Sequence, residues 1–256
     1  MIAAALVLGL LVGGVLGLVG AGGSIIAVPA LVYGVGMSTH EAIPSALLVV
    51  GASSIAAVLP RIRTGISWRI ALRVGAAGIP AAWAGAAVGR LVNDTVLMLA
   101  FAVIMIAAGI RMLSPVRETA SRDETGRNSF LRSHLLQSLT VGLGIGFLTG
   151  LLGVGGGFLI VPALTIFLGL SMAQAVGTSL IIIAINSAAG FTAHAAGYSP
   201  DWITTLAFAI PAIIGSLVAG RVAHKLNNKH VRIAFASLVF IVAATVMTST
   251  IVSIVN

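Results

Sequence analysis

Two glycine clusters, Gly20-Ala-Gly-Gly-Ser24 and Gly153-Val-Gly-Gly-Gly157, are the residues best placed to handle a ligand. Each opens a short apolar stretch that carries one proline, Pro29 or Pro162. Glycine lets the backbone unwind and a ligand approach bare N–H groups. The first N–H groups of the helix that follows lack internal partners and lie at the positive end of its dipole. Gly20, Gly22, Gly23 and Ser24, with Gly153, Gly155, Gly156 and Gly157, therefore make a candidate anion site that needs no buried arginine. The plainer alternative is that such glycines only let helices touch, and it is preferred for Gly13-x-x-x-Gly17, Gly146-x-x-x-Gly150 and Gly85-x-x-x-Gly89.

Hydroxyl and amide groups form a second set. Ser45, Ser53 and Ser54 stand in one apolar run, and Thr178, Ser179, Asn186 and Ser187 in another. Their donors suit an oxyanion, and Asn186, near mid-segment, is the least expected in lipid. Interhelical hydrogen bonding is the competing account. It weighs equally for Ser54 and Ser187, whereas Ser45, Ser53, Thr178, Ser179 and Asn186 join the candidate substrate site. Glu41 at a helix start pairs favourably with the dipole. A coupling role for it is secondary, since its counterpart Gln174 cannot titrate. His194 is read as structural. Arg61 and Arg63 could gather anions at a mouth, although topology alone accounts for them. Pro80 and Pro211 are expected to kink their helices and, with Pro29 and Pro162, are candidate hinges.

The elements that must position these residues follow from composition. The 256 residues are 59% hydrophobic and 8% charged, with 14 basic and 6 acidic side chains. A soluble domain carries about 25% charged residues, so a soluble enzyme and a disordered chain are both excluded. A nucleic-acid partner would need a basic face with stacking aromatics, and aromatics are only 5%. No cysteine is present, which removes thiolate metal sites; no metal, cofactor or catalytic residue is expected. The apolar runs are continuous rather than alternating, as lipid-spanning helices require. The expected segments are 2–19, 24–35, 41–60, 69–90 and 95–113, then 134–152, 157–169, 174–193, 202–222 and 231–254. The two short ones, at about 18–20 Å by helical rise, look like half-helices.

The list repeats. Residues 17–47 match 150–180 without a gap at 13 of 31 positions, five glycines and a proline among them, and Pro80…Gly89-Arg90 matches Pro211…Gly220-Arg221. Arginine and lysine bias then orients the halves. Arg61, Arg63, Arg69 and Arg73 crowd one loop whose equivalent, 194–201, has none; the next loop reverses the bias, with Arg90 alone against Arg221, Lys225, Lys229 and Arg232. This is the charge signature of inverted-topology repeats. The expected architecture is an all-α integral membrane protein with two inverted repeats, 1–113 and 134–256, joined by a cytoplasmic linker, 114–133, and with glycine-interrupted short helices near the midplane. Each half crosses an odd number of times, as five segments or as three plus a re-entrant hairpin.

Such a fold points to a transporter working by alternating access in the cytoplasmic membrane, its partners the lipid bilayer and a small anion. A passive anion channel is the runner-up. An intramembrane serine protease built on Ser53 and His194 comes a distant third, because no further acid or oxyanion motif accompanies them. The Gly-x-Gly-Gly-x-x-x-x-Val-Pro-Ala-Leu pattern of both halves, with Ala175-Val-Gly-Thr-Ser-Leu180 after the second, resembles the sulfite exporter TauE/SafE family of membrane permeases. Half one departs from it, with Ile43-Pro-Ser-Ala-Leu47 in place of Val-Gly-Thr-Ser-Leu. The resemblance implies a permease for sulfite, sulfonates or other sulfur-containing anions, with export the implied direction.

Overall fold

Backbone polar groups in lipid must be satisfied within the chain, and the long charge-free runs achieve this as helices. The computed structural model describes residues 2–20, 22–62, 65–89, 91–92, 96, 102–107, 109–110, 127–152, 157–194, 201–223, 233, 236–237, 239–245 and 247–248. The helices are α1 (Ile2–Val19), α2 (Gly22–Pro29), α3 (Thr39–Val58), α4 (Trp68–Gly89), α5 (Arg127–Leu152), α6 (Gly157–Ile166), α7 (Met172–His194) and α8 (Trp202–Ala223). A π-helical turn, Ala30–Val35, continues α2, and a 3₁₀ turn, Leu59–Arg61, closes α3. No strand occurs among the described residues. Among the described residues, four helices contain stretches long and apolar enough to cross a membrane: Ile2–Val19, Glu41–Arg61, Met172–Thr192 and Trp202–Val222. Their outward faces carry large apolar side chains such as Leu11, Ile55, Ile203 and Ile214, an arrangement that suits lipid and not water.

The expected segments agree with the helices to within a residue or two, with three exceptions. Helix α5 begins at Arg127, so residues 127–133 of the expected linker are helical. The first short segment begins at Gly22, inside the glycine cluster. The second stops at Ile166, before Gly169 turns the chain at φ +63°. Segments 95–113 and 231–254 fall largely outside the described residues, and so does most of 114–133.

Repeat-related positions make the same local structures. Each short segment ends on a glycine in the left-handed region, Gly36 (φ +85°) or Gly169. The next amide then bonds back six residues, Met37 to Leu31 at 3.0 Å and Leu170 to Leu164 at 3.1 Å. Ser38 and Ser171 precede α3 and α7. Ser38 donates its hydroxyl (2.7 Å) and amide (3.3 Å) to Glu41, and Ser171 accepts the Gln174 amide at 3.4 Å. Asp201 caps α8. It accepts the Thr204 hydroxyl (2.6 Å) and amide (3.4 Å) and the Ile203 amide (3.1 Å). These bonds, the Thr204 hydroxyl foremost, hold its carboxyl below the usual range.

Glycine contacts give the register between helices. Along α1, Gly9, Gly13 and Gly17 meet Phe208, Ala212 and Ser216 of α8. Along α5, Gly142, Gly146 and Gly150 meet Val74, Gly78 and Ala82 of α4. Both pairs ascend together, so α1 runs parallel to α8 and α4 parallel to α5. The Ser45–Thr205 and Ser53–Ser216 contacts make α3 parallel to α8. Ser67–Thr178 and Gly78–Asn186 align α4 with α7. Gly51–Ser187 and Gly190–Leu47 descend against each other, so α3 and α7 are antiparallel. Two bundles result, α1/α3/α8 and α4/α5/α7, opposite in direction and meeting where α3 crosses α7. Each bundle mixes helices from both halves of the sequence.

Candidate functional site

The central polar residues lie on α3 and α7, next to the crossing of these two helices. The crossing is close because Gly51 has no side chain to hold off Ser187, whose Cβ would lie 3.2 Å from a methyl at 51. Gly78 of α4 makes equal room for Asn186, whose Oδ1 would lie 3.0 Å from a methyl there. Ser53, Ser54, Asn186 and Ser187 are all buried. Ser53 and Asn186 are repeat equivalents, as are Ser54 and Ser187. The Ser53 hydroxyl, the Ser54 hydroxyl and the Asn186 Oδ1 have no hydrogen-bond partner. Buried polar groups are nearly always paired, and leaving one bare costs about 1–3 kcal/mol. The Ser53 and Ser54 hydroxyls can each donate to a ligand, whereas the bare Asn186 Oδ1 can only accept, and Asn186 itself lies against Gly78 of α4. The backbone there is secured separately, by the Ser216 hydroxyl donating to the Ser53 carbonyl at 2.9 Å.

The described residues of the glycine clusters stand at the starts of the two short helices. Gly20 turns the chain after α1 at φ +82°, with its amide donating to the Leu16 carbonyl at 2.8 Å. The Ser179 hydroxyl donates to the carbonyls of Val176 (2.8 Å) and Gly20 (3.3 Å). Added side chains at Gly20 or Gly23 would collide with Val176 or Leu16, at 2.6 Å in each case. Close packing therefore accounts for both glycines. Gly22 and Ser24 lie in the first turn of α2. Gly157 is buried and opens α6, whereas Gly153, Gly155 and Gly156 fall outside the described residues.

Of the second cluster only Gly157 is described, and the two short helices that the clusters open, α2 and α6, touch each other. Gly20 lies beside Val176 and Ser179, near the start of α7. Helix α5, which leads to Gly157, aligns through Gly150–Ala82 and Gly78–Asn186 with the far part of α7. Roughly 10 Å of helical rise separates Ser179 from Asn186.

Other expected residues hold neighbours. Ser45 Oγ and Thr205 Oγ1 are 3.3 Å apart, and Thr178 accepts the Ser67 amide at 3.1 Å. Glu41 is exposed and engaged by Ser38, which is the capping role and gives no support to coupling. Pro80 and Pro211 lie inside helices that continue past them, Pro29 precedes the π turn, and Pro162 lies within α6. Two features were missed. Arg61 is only 8% exposed, with Nη2 donating to the Gly17 carbonyl at 2.6 Å and Nη1 to that of Ala57 at 3.2 Å. Its position in an arginine-rich stretch hid this, since four arginines in one loop read as solvated. Thr149, a buried hydroxyl without a partner on α5, gave no signal beyond replacing Leu16 of the first half.

Comparison with known proteins follows from this geometry. Residues 5–246 match the family described as "Sulfite exporter TauE/SafE". The chain belongs to the TauE/SafE family. It is 30% identical to a "Probable membrane transporter protein" of Xylella fastidiosa (strain 9a5c) over 241 residues, covering 91% of each chain. It is 26% identical to the "Probable membrane transporter protein YunE" of Bacillus subtilis, covering 87% of this chain and 89% of that one. No solved structure matches. As a TauE/SafE protein it is a multi-pass membrane transporter, and the bare polar groups at the α3–α7 crossing lie within two of its four candidate spans.

Proposed function

We propose that this TauE/SafE protein exports a small sulfur oxyanion, sulfite or an organosulfonate, across the cytoplasmic membrane by alternating access. The reading is carried by one observation: the Ser53 and Ser54 hydroxyls, buried within α3 near its crossing with α7, have no hydrogen-bond partner. An oxyanion accepts hydrogen bonds from hydroxyl and amide donors without requiring a fixed positive charge. A membrane potential negative inside favours outward movement of an anion by about 2.3 kcal/mol per charge per 100 mV, so export needs no coupling ion. The helix directions support inverted repeats, because α1, α3 and α4 run opposite to their equivalents α5, α7 and α8. They also nominate the moving bodies, α1/α3/α8 against α4/α5/α7, with the site on the interface between them.

Purified protein in liposomes loaded with labelled sulfite tests this. Saturable efflux, lost when Ser53 and Asn186 are both replaced by alanine, supports a carrier. Non-saturating conductance would identify a channel, and no flux of sulfite or any sulfonate would overturn the anion assignment.

A further inference from the structure

Arg61 occupies an unusual position for a buried cation. It ends the 3₁₀ turn after α3 and is lodged between the last turns of α1, α3 and α8. Gly17 and Ala57 accept its two bonds, and a methyl at Gly220 would lie 3.6 Å from Nη1. A guanidinium has five N–H donors, and these two bonds use one on each terminal nitrogen. The described carboxylates, Glu41 and Asp201, cap the opposite ends of α3 and α8, a full helix length away. Among the described residues, Arg61 is therefore balanced by carbonyls at helix C-termini, each end worth about half a negative charge. Buried cations usually have a true counter-ion.

What lies beyond Arg61 matters equally. Leu16, Ala57, Val58 and Leu180 form a small buried apolar cluster of their own, with Ile66 packed against it. By register it lies between Arg61 and the bare polar groups of Ser53, Ser54 and Asn186. An anion travelling from the arginine-rich end to the crossing meets the guanidinium first and this plug second. The Arg61–Gly17 bond ties α1 to α3 across the top of the plug.

We infer that Arg61 recognises the transported anion at this gate, exchanging the Gly17 carbonyl for an oxyanion and so freeing the end of α1 from the plug. The inference rests on the transport reading above. It adds a positive residue to a pathway otherwise lined by neutral donors, and it sets specificity for anionic over neutral solutes of the same size.

The test is the pair R61Q and R61K, assayed in liposomes with labelled sulfite. Recognition predicts at least a 10-fold rise in KM for R61Q with maximal flux within about threefold, and partial rescue by R61K. A capping role alone predicts lower thermal stability in R61Q with an unchanged KM, and that result overturns the inference. No flux from the unsubstituted protein would instead sink the transport reading itself. Should R61Q fail to fold, V58C in the otherwise cysteine-free chain supplies a second readout. Sulfoacetate, which does not consume maleimide, should accelerate labelling of V58C at least threefold, whereas an unchanged labelling rate overturns the gate.

Discussion

At the scale of single residues, Ser53 lets a functional role be told apart from a structural one. The Ser53 hydroxyl makes no hydrogen bond, so Ser53→Ala removes none. Thermal unfolding should show this variant as stable as the parent or up to about 1–3 kcal/mol more so, the cost of the bare group being relieved. If that hydroxyl meets the anion, the half-saturating sulfite concentration rises about 10- to 100-fold, as loss of a charge-assisted bond requires. A structural serine would do the reverse. Asp201 offers a contrasting case. Its carboxyl is held below the ordinary value by the cap bonds it accepts, so its stabilisation is full above the unfolded carboxylate pKa of about 3.9. It fades as pH falls through the lower folded value. Asp201→Ala should therefore lower the melting temperature at pH 7, and the difference from the parent should vanish on acidification below that value.

At the scale of helices, glycines on α1 and α5 separate into two kinds that sequence alone does not distinguish. A side chain at Gly13 would strike the Ala212 carbonyl and one at Gly146 the Gly78 carbonyl, whereas Gly14 and Gly144 have nothing within 4 Å. Gly13→Ala and Gly146→Ala should each lose about 1–3 kcal/mol by overpacking backbone against backbone. Gly14→Ala and Gly144→Ala should be neutral or gain up to about 1 kcal/mol of helix propensity. Chemical denaturation in detergent micelles checks all four. The Gly-x-x-x-Gly spacing on each helix was legible, and so were the segments, because unbroken apolar runs leave little choice but a helix. The packing around Gly20 and Gly23 was not, because residue types show where a chain can turn and only the folded neighbours, Val176 and Leu16, show what fills the space there. Arg61 was illegible for a similar reason, since burial is decided by which helix ends converge on it.

At the scale of the whole molecule, the repeat was read from matched glycines and prolines, but its interlocking was not. Nothing in 17–47 or 150–180 indicates that α1 takes α8 as its partner and α5 takes α4; that pairing emerges only from the register of Gly13 with Ala212 and Gly146 with Gly78. The helix directions predict that the 62–67 loop and Asp201 face opposite sides of the membrane. Single cysteines at Gly65 and Asp201 should accordingly be labelled by a membrane-impermeant maleimide from opposite faces of oriented vesicles. Labelling from one face would dismantle the inverted arrangement and leave family membership as the sole ground for transport.

The seam between α1 and α8 also governs how the protein is made. Helix α1 presents a ridge of bare backbone whose mate is synthesised about two hundred residues later. At 5–20 residues per second that is a delay of roughly 10 to 40 s. During this interval the newborn segment must be sheltered by the insertion machinery or by lipid, and a chain halted midway would leave it permanently unmated and open to proteolysis.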